Sequence, residues 1–260
     1  VPYKGLDISN KVCFITGGTT GIGRAIALGF AAAGAKVVAA SSSQSKVDAI
    51  AKELGDGHMA VRADVVDEVG IAAAMAAAAK KFGRVDAVVN AAGVISKMPS
   101  LEVPVAEFER IVRINLTGSF IVARAAARIM KDQSPDSRGQ RGSITLIASL
   151  NSYISLSEVL AYAASKSGVL GLIRGLANEW AQYGIRINGI APGVFPTDIN
   201  KALIEGTPRG TALKAHTPMS RFGESEELVA GAIYLASPGA SFTTGETLII
   251  DGGFLARGVF

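Results

Sequence analysis

Cysteine is almost absent. Cys13 is the only one in 260 residues, so no internal disulfide can form, and stability has to come from buried area rather than cross-links. Cys13 itself sits in an apolar run and reads as a small buried hydrophobe. Histidine is scarce too: His58 and His216 stand alone. No cluster has metal-ligand spacing, so no metal site is expected. Also missing is any Lys/Arg run of the kind that follows a phosphate backbone. The net charge of +4 is scattered, which argues against nucleic acid as a partner. No apolar stretch is long enough to span a bilayer and no secretory leader is visible, so the expected setting is the cytoplasm and the expected partner a small molecule, not a membrane. Aromatics are few; Ala, Val, Ile and Gly carry the apolar content, as in parallel strands buried under helices on both faces.

What the chain does have is a steady alternation of strands and helices. Residues 12–16 read as a strand and run straight into Gly17-Gly18-Thr19-Thr20-Gly21-Ile22-Gly23, after which 24–33 reads as a helix. Glycines let a backbone approach a pyrophosphate, and a helix N-terminus offers free N–H groups and a positive dipole end. Gly17, Thr19, Thr20, Gly21, Ile22 and Gly23 are therefore candidate dinucleotide contacts. Further strands are expected at 36–40, 59–63, 85–89, 143–148, 184–191 and 247–251, with helices at 68–82, 104–131, 162–183 and 224–237. Such alternation implies right-handed β-α-β units and one α/β domain over 1–260, built on a parallel sheet with helices on both faces. In these sheets ligands sit beyond the carboxyl ends of the strands, where the strand order reverses. Gly17, Ser41, Ser42, Ser43, Asp64, Asn90, Ala91, Ala92, Gly93, Ser149, Pro192, Gly193 and Val194 all follow strand ends.

Three segments carry more specific expectations. The second strand ends in Ser41-Ser42-Ser43, where an NAD-binding sheet is expected to place a carboxylate for the ribose 2′-hydroxyl. Without that carboxylate nothing repels a 2′-phosphate, and hydroxyls with Lys46 or Arg24 nearby can receive one. NADP(H) is therefore favoured, with NAD(H) usable. Residues 194–220 mix glycines and prolines around short helical pieces, as a substrate lid does. Within it Arg209 is a candidate reader of a carboxylate. Residues 132–142 are polar and read as an exposed, poorly ordered loop.

The stretch with the most chemistry is Tyr162-Ala163-Ala164-Ser165-Lys166. Two residues four apart share one helix face, so an ammonium lies close to a phenol. A nearby cation favours phenolate, and the expectation is a Tyr162 pKa drawn down toward neutrality. Such a group can pass a proton to or from a reacting oxygen, with the Ser149 hydroxyl bonded to the same oxygen. Asn115, a polar residue inside an apolar helix, has either a special role or a buried structural one.

Together, Thr16-Gly17-x-x-x-Gly21-x-Gly23, Asn90-Ala91-Ala92-Gly93, Asn115, Ser149, Tyr162-x-x-x-Lys166 and Pro192-Gly193 resemble the short-chain dehydrogenase/reductases over nearly the whole chain. The resemblance implies a seven-stranded Rossmann sheet of order 3-2-1-4-5-6-7, a nicotinamide dinucleotide and a homotetramer. It also implies roles. Tyr162 would be the proton donor and acceptor. Lys166 would tune it and hold the nicotinamide ribose, and Ser149 would orient the carbonyl or alcohol. Asn115 would support a water relay through Lys166. Pro192, Gly193 and Val194 would meet the carboxamide, Thr197 the pyrophosphate and Asp64 the adenine, with Val65 beside it. Ser149, Asn151, Tyr162, Phe195 and Arg209 would face the substrate. The segments 196–200, 217–223 and 251–255 are similar to gluconate 5-dehydrogenases and related sugar or polyol dehydrogenases. The expected reaction is therefore alcohol–ketone interconversion on a sugar, polyol or sugar acid. The alternatives are a 3-oxoacyl-[acyl-carrier-protein] reductase and, from another class, an inactive dinucleotide-binding sensor or scaffold.

Overall fold

The apolar runs pair side by side in register. Val12–Thr16 (β1) lies between Lys36–Ser41 (β2) and Ala87–Asn90 (β4), all parallel. Met59–Arg62 (β3) extends the sheet beyond β2, and Gly142–Ile147 (β5), Ile185–Pro192 (β6) and Thr247–Ile250 (β7) extend it beyond β4. In this computed structural model, which describes residues 4–258, the strand order is 3-2-1-4-5-6-7, as the resemblance implied.

Period-two geometry sends alternate side chains to opposite faces, and each strand feeds two cores. Phe14, Val38, Val88, Ile144 and Leu146 point to one face. There they meet Glu68–Phe82 (α3), Gly118–Met130 (α5) and Leu160–Trp180 (α6) through Met75, Val122 and Ile173. Cys13, Ile15, Val37 and Val89 point to the other. That face is covered by Gly21–Ala32 (α1), Gln44–Leu54 (α2) and Val229–Ala236 (α9) through Ile26, Phe30, Ile50 and Leu235. Cys13 is fully enclosed, and burial pushes its thiol far up, which withholds the reactive thiolate.

Helix ends follow the local chemistry. Asp67 caps α3 by accepting from Gly70 N–H at 3.0 Å, and Gly83 closes it in the left-handed region at φ +86. Three expectations need correction. The helix expected over 104–131 is Val105–Val112 (α4), a π-helical turn over Arg113–Thr117, then α5. The helix expected over 224–237 opens as a 3-10 turn, Ser225–Leu228. Residues 132–142 are fastened, not loose. Gln133 bonds both backbone polar groups of Val85 (2.7 and 3.0 Å), and Arg138 donates to Ser241 Oγ (2.7 Å) and the Pro238 carbonyl (3.3 Å).

Candidate active site

The strand order reverses between β1 and β4, and the crevice there is built by glycines. Gly17 has φ +64. A Cβ on it would lie 2.8–2.9 Å from the Ala91–Ala92 backbone, and one on Gly23 would lie 2.2 Å from the Gly17 carbonyl oxygen. Neither position admits a side chain, so the first turn of α1 is drawn against the ends of β1 and β4. That leaves its N–H groups facing a groove of about 400 Å³. Gly17, Thr20, Gly21, Ile22 and Gly23 line this groove at one end; Ser41, Ser42, Asp64 and Val65 line it beside β2 and β3. Ala91, Ala92, Gly93 and Thr197 complete it. Thr197 packs directly over Gly21, where a Cβ would come within 3.2 Å of its side chain. A dinucleotide fits this cradle of small residues, helix N-terminus and hydroxyls.

Of the other expected cofactor contacts, Tyr162, Lys166, Pro192, Gly193 and Val194 line the cavities next to the groove, and Thr19, Asn90 and Ser43 line neither the groove nor these cavities. Thr19 is buried. Asn90 accepts from Thr16 Oγ1 and donates to Ser119 Oγ at 2.8 Å, so it braces the sheet. Ser43 precedes α2, with its hydroxyl on Ser45. Of the two cations expected near a 2′-phosphate, Lys46 lines the groove, whereas Arg24 is spent on Glu53. Arg62, unforeseen, donates from Nε to the Ser42 carbonyl at 3.1 Å and so stands at the serine turn.

Next to the groove, Ser149 follows β5, and Tyr162 and Lys166 share a face at the start of α6. Pro192, Gly193, Phe195 and Asn200 border the same small cavity of about 120 Å³ as Ser149, Tyr162 and Lys166. Lys166 is buried, its Nζ donating to the Ile147 carbonyl at 2.6 Å and lying 5.7 Å from the Tyr162 ring centroid. Burial pulls the ammonium down to about 8. The expectation for Tyr162 is corrected here. Protein packed around the half-buried ring pushes the phenol up, and the nearby Ser149 hydroxyl offsets only part of this. Desolvation outweighs stabilisation of the charged form, so the chain by itself keeps the phenol protonated.

Asn115 sits at the centre of the π turn, fully buried. Its Oδ1 accepts from Val94 N–H (2.9 Å), and its Nδ2 donates to the Val94 carbonyl (2.9 Å) and to Ser165 Oγ (3.0 Å). It thereby ties the chain after β4 to α6.

A second cavity of about 90 Å³ adjoins the first, sharing Ser149, Tyr162, Gly193 and Asn200; Asn151, Val194 and Arg209 line it further out. Lys201–Ile204 (α7) and Pro208–His216 (α8) cover it. Asn151 accepts from Leu156 N–H at 3.0 Å and shapes the loop. Phe195 is buried in the core, its ring against Gly223, so it walls the site more than it faces it. Sequence reasoning missed Asn200, which borders both cavities. Its Oδ1 accepts from Thr197 N–H (2.8 Å) and its Nδ2 donates to the Phe195 carbonyl (2.9 Å). An Asn three residues after a Pro-Thr turn was the available signal. Among the described residues no cluster could hold a metal, and no helix is long and apolar enough to cross a membrane.

A family model described as an enoyl-(acyl carrier protein) reductase matches residues 17–255. The D-threitol dehydrogenase of Mycolicibacterium smegmatis is 36% identical, with 96% of this chain and 95% of that one covered. The 2-dehydro-3-deoxy-D-gluconate 5-dehydrogenase of Formosa agariphila is 35% identical over 96% and 94%. Among solved structures, a gluconate 5-dehydrogenase from Burkholderia cenocepacia in complex with NADP and tartrate superposes with a TM-score of 0.91 at 33% identity, covering 98% and 99% of the two chains. Likeness that runs the full length of the sheet as well as through the site shows that the chain belongs to the short-chain dehydrogenase/reductase family, whose members use NAD(P) to interconvert an alcohol and a carbonyl.

Proposed function

We propose that the chain oxidises a secondary alcohol of a sugar acid or polyol and reduces the matching ketone, with NADP(H) favoured and NAD(H) usable. The observation that carries this is one cavity wall bearing Ser149, Tyr162 and Lys166, continued outward by Arg209. The bound dinucleotide would take or give the hydride. The chain's own part is to hold the substrate oxygen between the Ser149 hydroxyl and the Tyr162 phenol and to move its proton. Lys166 is assigned the nicotinamide ribose, and Asn115 a supporting place in a relay behind it. A Cβ on Gly93 would lie 3.3 Å from Asn115 Oδ1 and 3.7 Å from Lys166 Nζ, so the two groups flank one spot. Residues 194–220 act as the lid. We also infer a homotetramer, a reading supported by the family likeness and by the exposed Ile249 on edge strand β7 together with exposed Met219 and Phe242. The cytoplasmic setting rests on the family likeness alone.

Cavities of this size suit a sugar-sized molecule better than an acyl chain on a carrier protein. The complete Ser149–Tyr162–Lys166 set speaks against an inactive sensor. Following reduced-nicotinamide absorbance with polyols, aldonates and acetoacetyl thioesters tests the reading; turnover of the thioesters alone would overturn it.

Two expected outcomes follow from single residues. Ser41→Asp should reverse the cofactor preference, because a carboxylate accepts the ribose 2′-hydroxyl and repels a 2′-phosphate. Charge-assisted bonds to that phosphate contribute about 1–3 kcal/mol, so the swing in relative kcat/KM should be about tenfold to a hundredfold. A wild type that already favours NAD tenfold would show the serines to be only a turn. Arg209→Ala should raise KM about tenfold for an aldonate and leave the matching polyol nearly unchanged. Equal losses on both would remove Arg209 from carboxylate recognition.

A further inference from the structure

Three charged side chains from three separate segments meet beside the outer cavity, which Arg209 lines. Lys97, on the loop after β4, places Nζ 2.9 Å from Glu158 Oε2. Arg209, on α8, places Nη1 3.8 Å from that same oxygen, and its Nη2 donates to the Ser157 carbonyl at 3.1 Å. Glu158 holds an unusual posture. Its φ is +66, a region a bulky side chain enters at a cost of about 1–3 kcal/mol, and its carbonyl is pinned by Met98 N–H at 2.7 Å. A carboxylate is thus kept at a strained position where glycine would sit relaxed.

Both cations converge on one oxygen, so they compete for it, and the shorter contact belongs to Lys97. Lys97 and Glu158 neutralise each other, which leaves the group with the single net charge of Arg209. Arg209 is also the least exposed of the three, at 23% against 37% for each of the others, and it is the one lining the cavity with Ser149 and Tyr162. We propose that Lys97 determines substrate specificity without touching substrate: by occupying Glu158 it keeps Arg209 uncompensated, and the cavity then selects a singly anionic sugar acid over its uncharged polyol. This rests on the sugar-acid reading above. Removing Lys97 would let Glu158 close on Arg209 and cancel the charge.

The test uses the NADP-loaded enzyme with D-gluconate and D-glucitol as probes, comparing wild type, Lys97→Met, Glu158→Gln and the double variant. Lys97→Met should raise KM for gluconate about three- to tenfold, as suits a partly exposed pair, with kcat and the glucitol reaction unchanged. Glu158→Gln should lower the gluconate KM, and in its presence Lys97→Met should have no further effect. The loss should fade near 1 M salt, where the screening length is about 3 Å. Equal losses on both probes, or an undiminished loss in the double variant, would overturn the role of Lys97 while leaving the sugar-acid reading in place. A wild type that prefers glucitol, or turns over neither probe, would overturn that reading and this inference with it.

Discussion

Tyr162→Phe is expected to lower kcat by about 10²–10⁴-fold, the usual contribution of a positioned proton-transfer group, while cofactor affinity stays nearly intact. The substitution deletes one oxygen and keeps the ring, so the packing against α6 and the 5.7 Å approach of Lys166 Nζ to the ring survive. Ser149 can still bond the substrate oxygen, but its hydroxyl also accepts from Asn151 N–H at 3.1 Å, and no base stands behind it. The direction of the phenol's shift adds a pH signature. A phenol held protonated by burial is ready to donate during ketone reduction and has to be deprotonated for alcohol oxidation. Oxidation should therefore quicken as pH rises above neutral, and reduction should slow. Steady-state rates in both directions check this; retention of more than a few per cent of activity by Tyr162→Phe would remove the residue from the mechanism.

The second large effect is expected from Lys166→Met, in rate and in cofactor affinity together, because one ammonium is assigned both tasks. Met fills the volume but cannot donate to the Ile147 carbonyl, which now receives Nζ at 2.6 Å. Unchanged affinity would show the assigned ribose contact to be wrong. The same variant should alter stability without cofactor. Burial lowers the Lys166 pKa from 10.5 to about 8. Between those values the unfolded chain binds a proton that the folded chain has shed, so stability rises with pH across that window. The raised Tyr162 pKa acts in the opposite sense, costing stability above its ordinary value of 10. From pH 8 to 10 the urea midpoint of wild type should thus climb relative to Lys166→Met, by an amount equivalent to about 2 kcal/mol at most. A parallel pair of curves would place the ammonium in contact with water.

Much of this was legible in the sequence because the signals are local. The sheet follows from apolar runs bounded by glycines, and α3 falls at its expected bounds because Asp67 and Gly83 fix its ends chemically. The sheet edge carrying Gly17, Ser41, Asp64, Ala91 and Ser149 was legible from their shared position after strands. What failed to show depends on tertiary surroundings. The sign of the Tyr162 shift is set by desolvation, which spacing does not report. Polar composition showed 132–142 to be exposed, as it is, but not that Gln133 and Arg138 fasten it to backbone partners far away in the chain. Asn90, at the end of β4, could be read as a cofactor contact, a brace of the sheet or both, and spacing does not report that its side chain turns inward to Thr16 and Ser119.

The wide turn over Arg113–Thr117 has a consequence for how this chain tolerates gain or loss of residues. A π-helical turn amounts to one extra residue threaded into an α-helix. Losing any single residue there would let α4 and α5 fuse into one regular helix. Each residue in an α-helix is worth about 100° of rotation and 1.5 Å of rise, so a one-residue loss elsewhere in α4 or α5 would swing one flank by that angle, whereas the wide turn can give up its extra residue with both flanks nearly in phase. What the loss would remove is the bulge itself, which places Asn115 on Val94 and Ser165. A one-residue deletion in this turn should therefore spare the fold better than the same deletion in α5, while costing the contacts of Asn115.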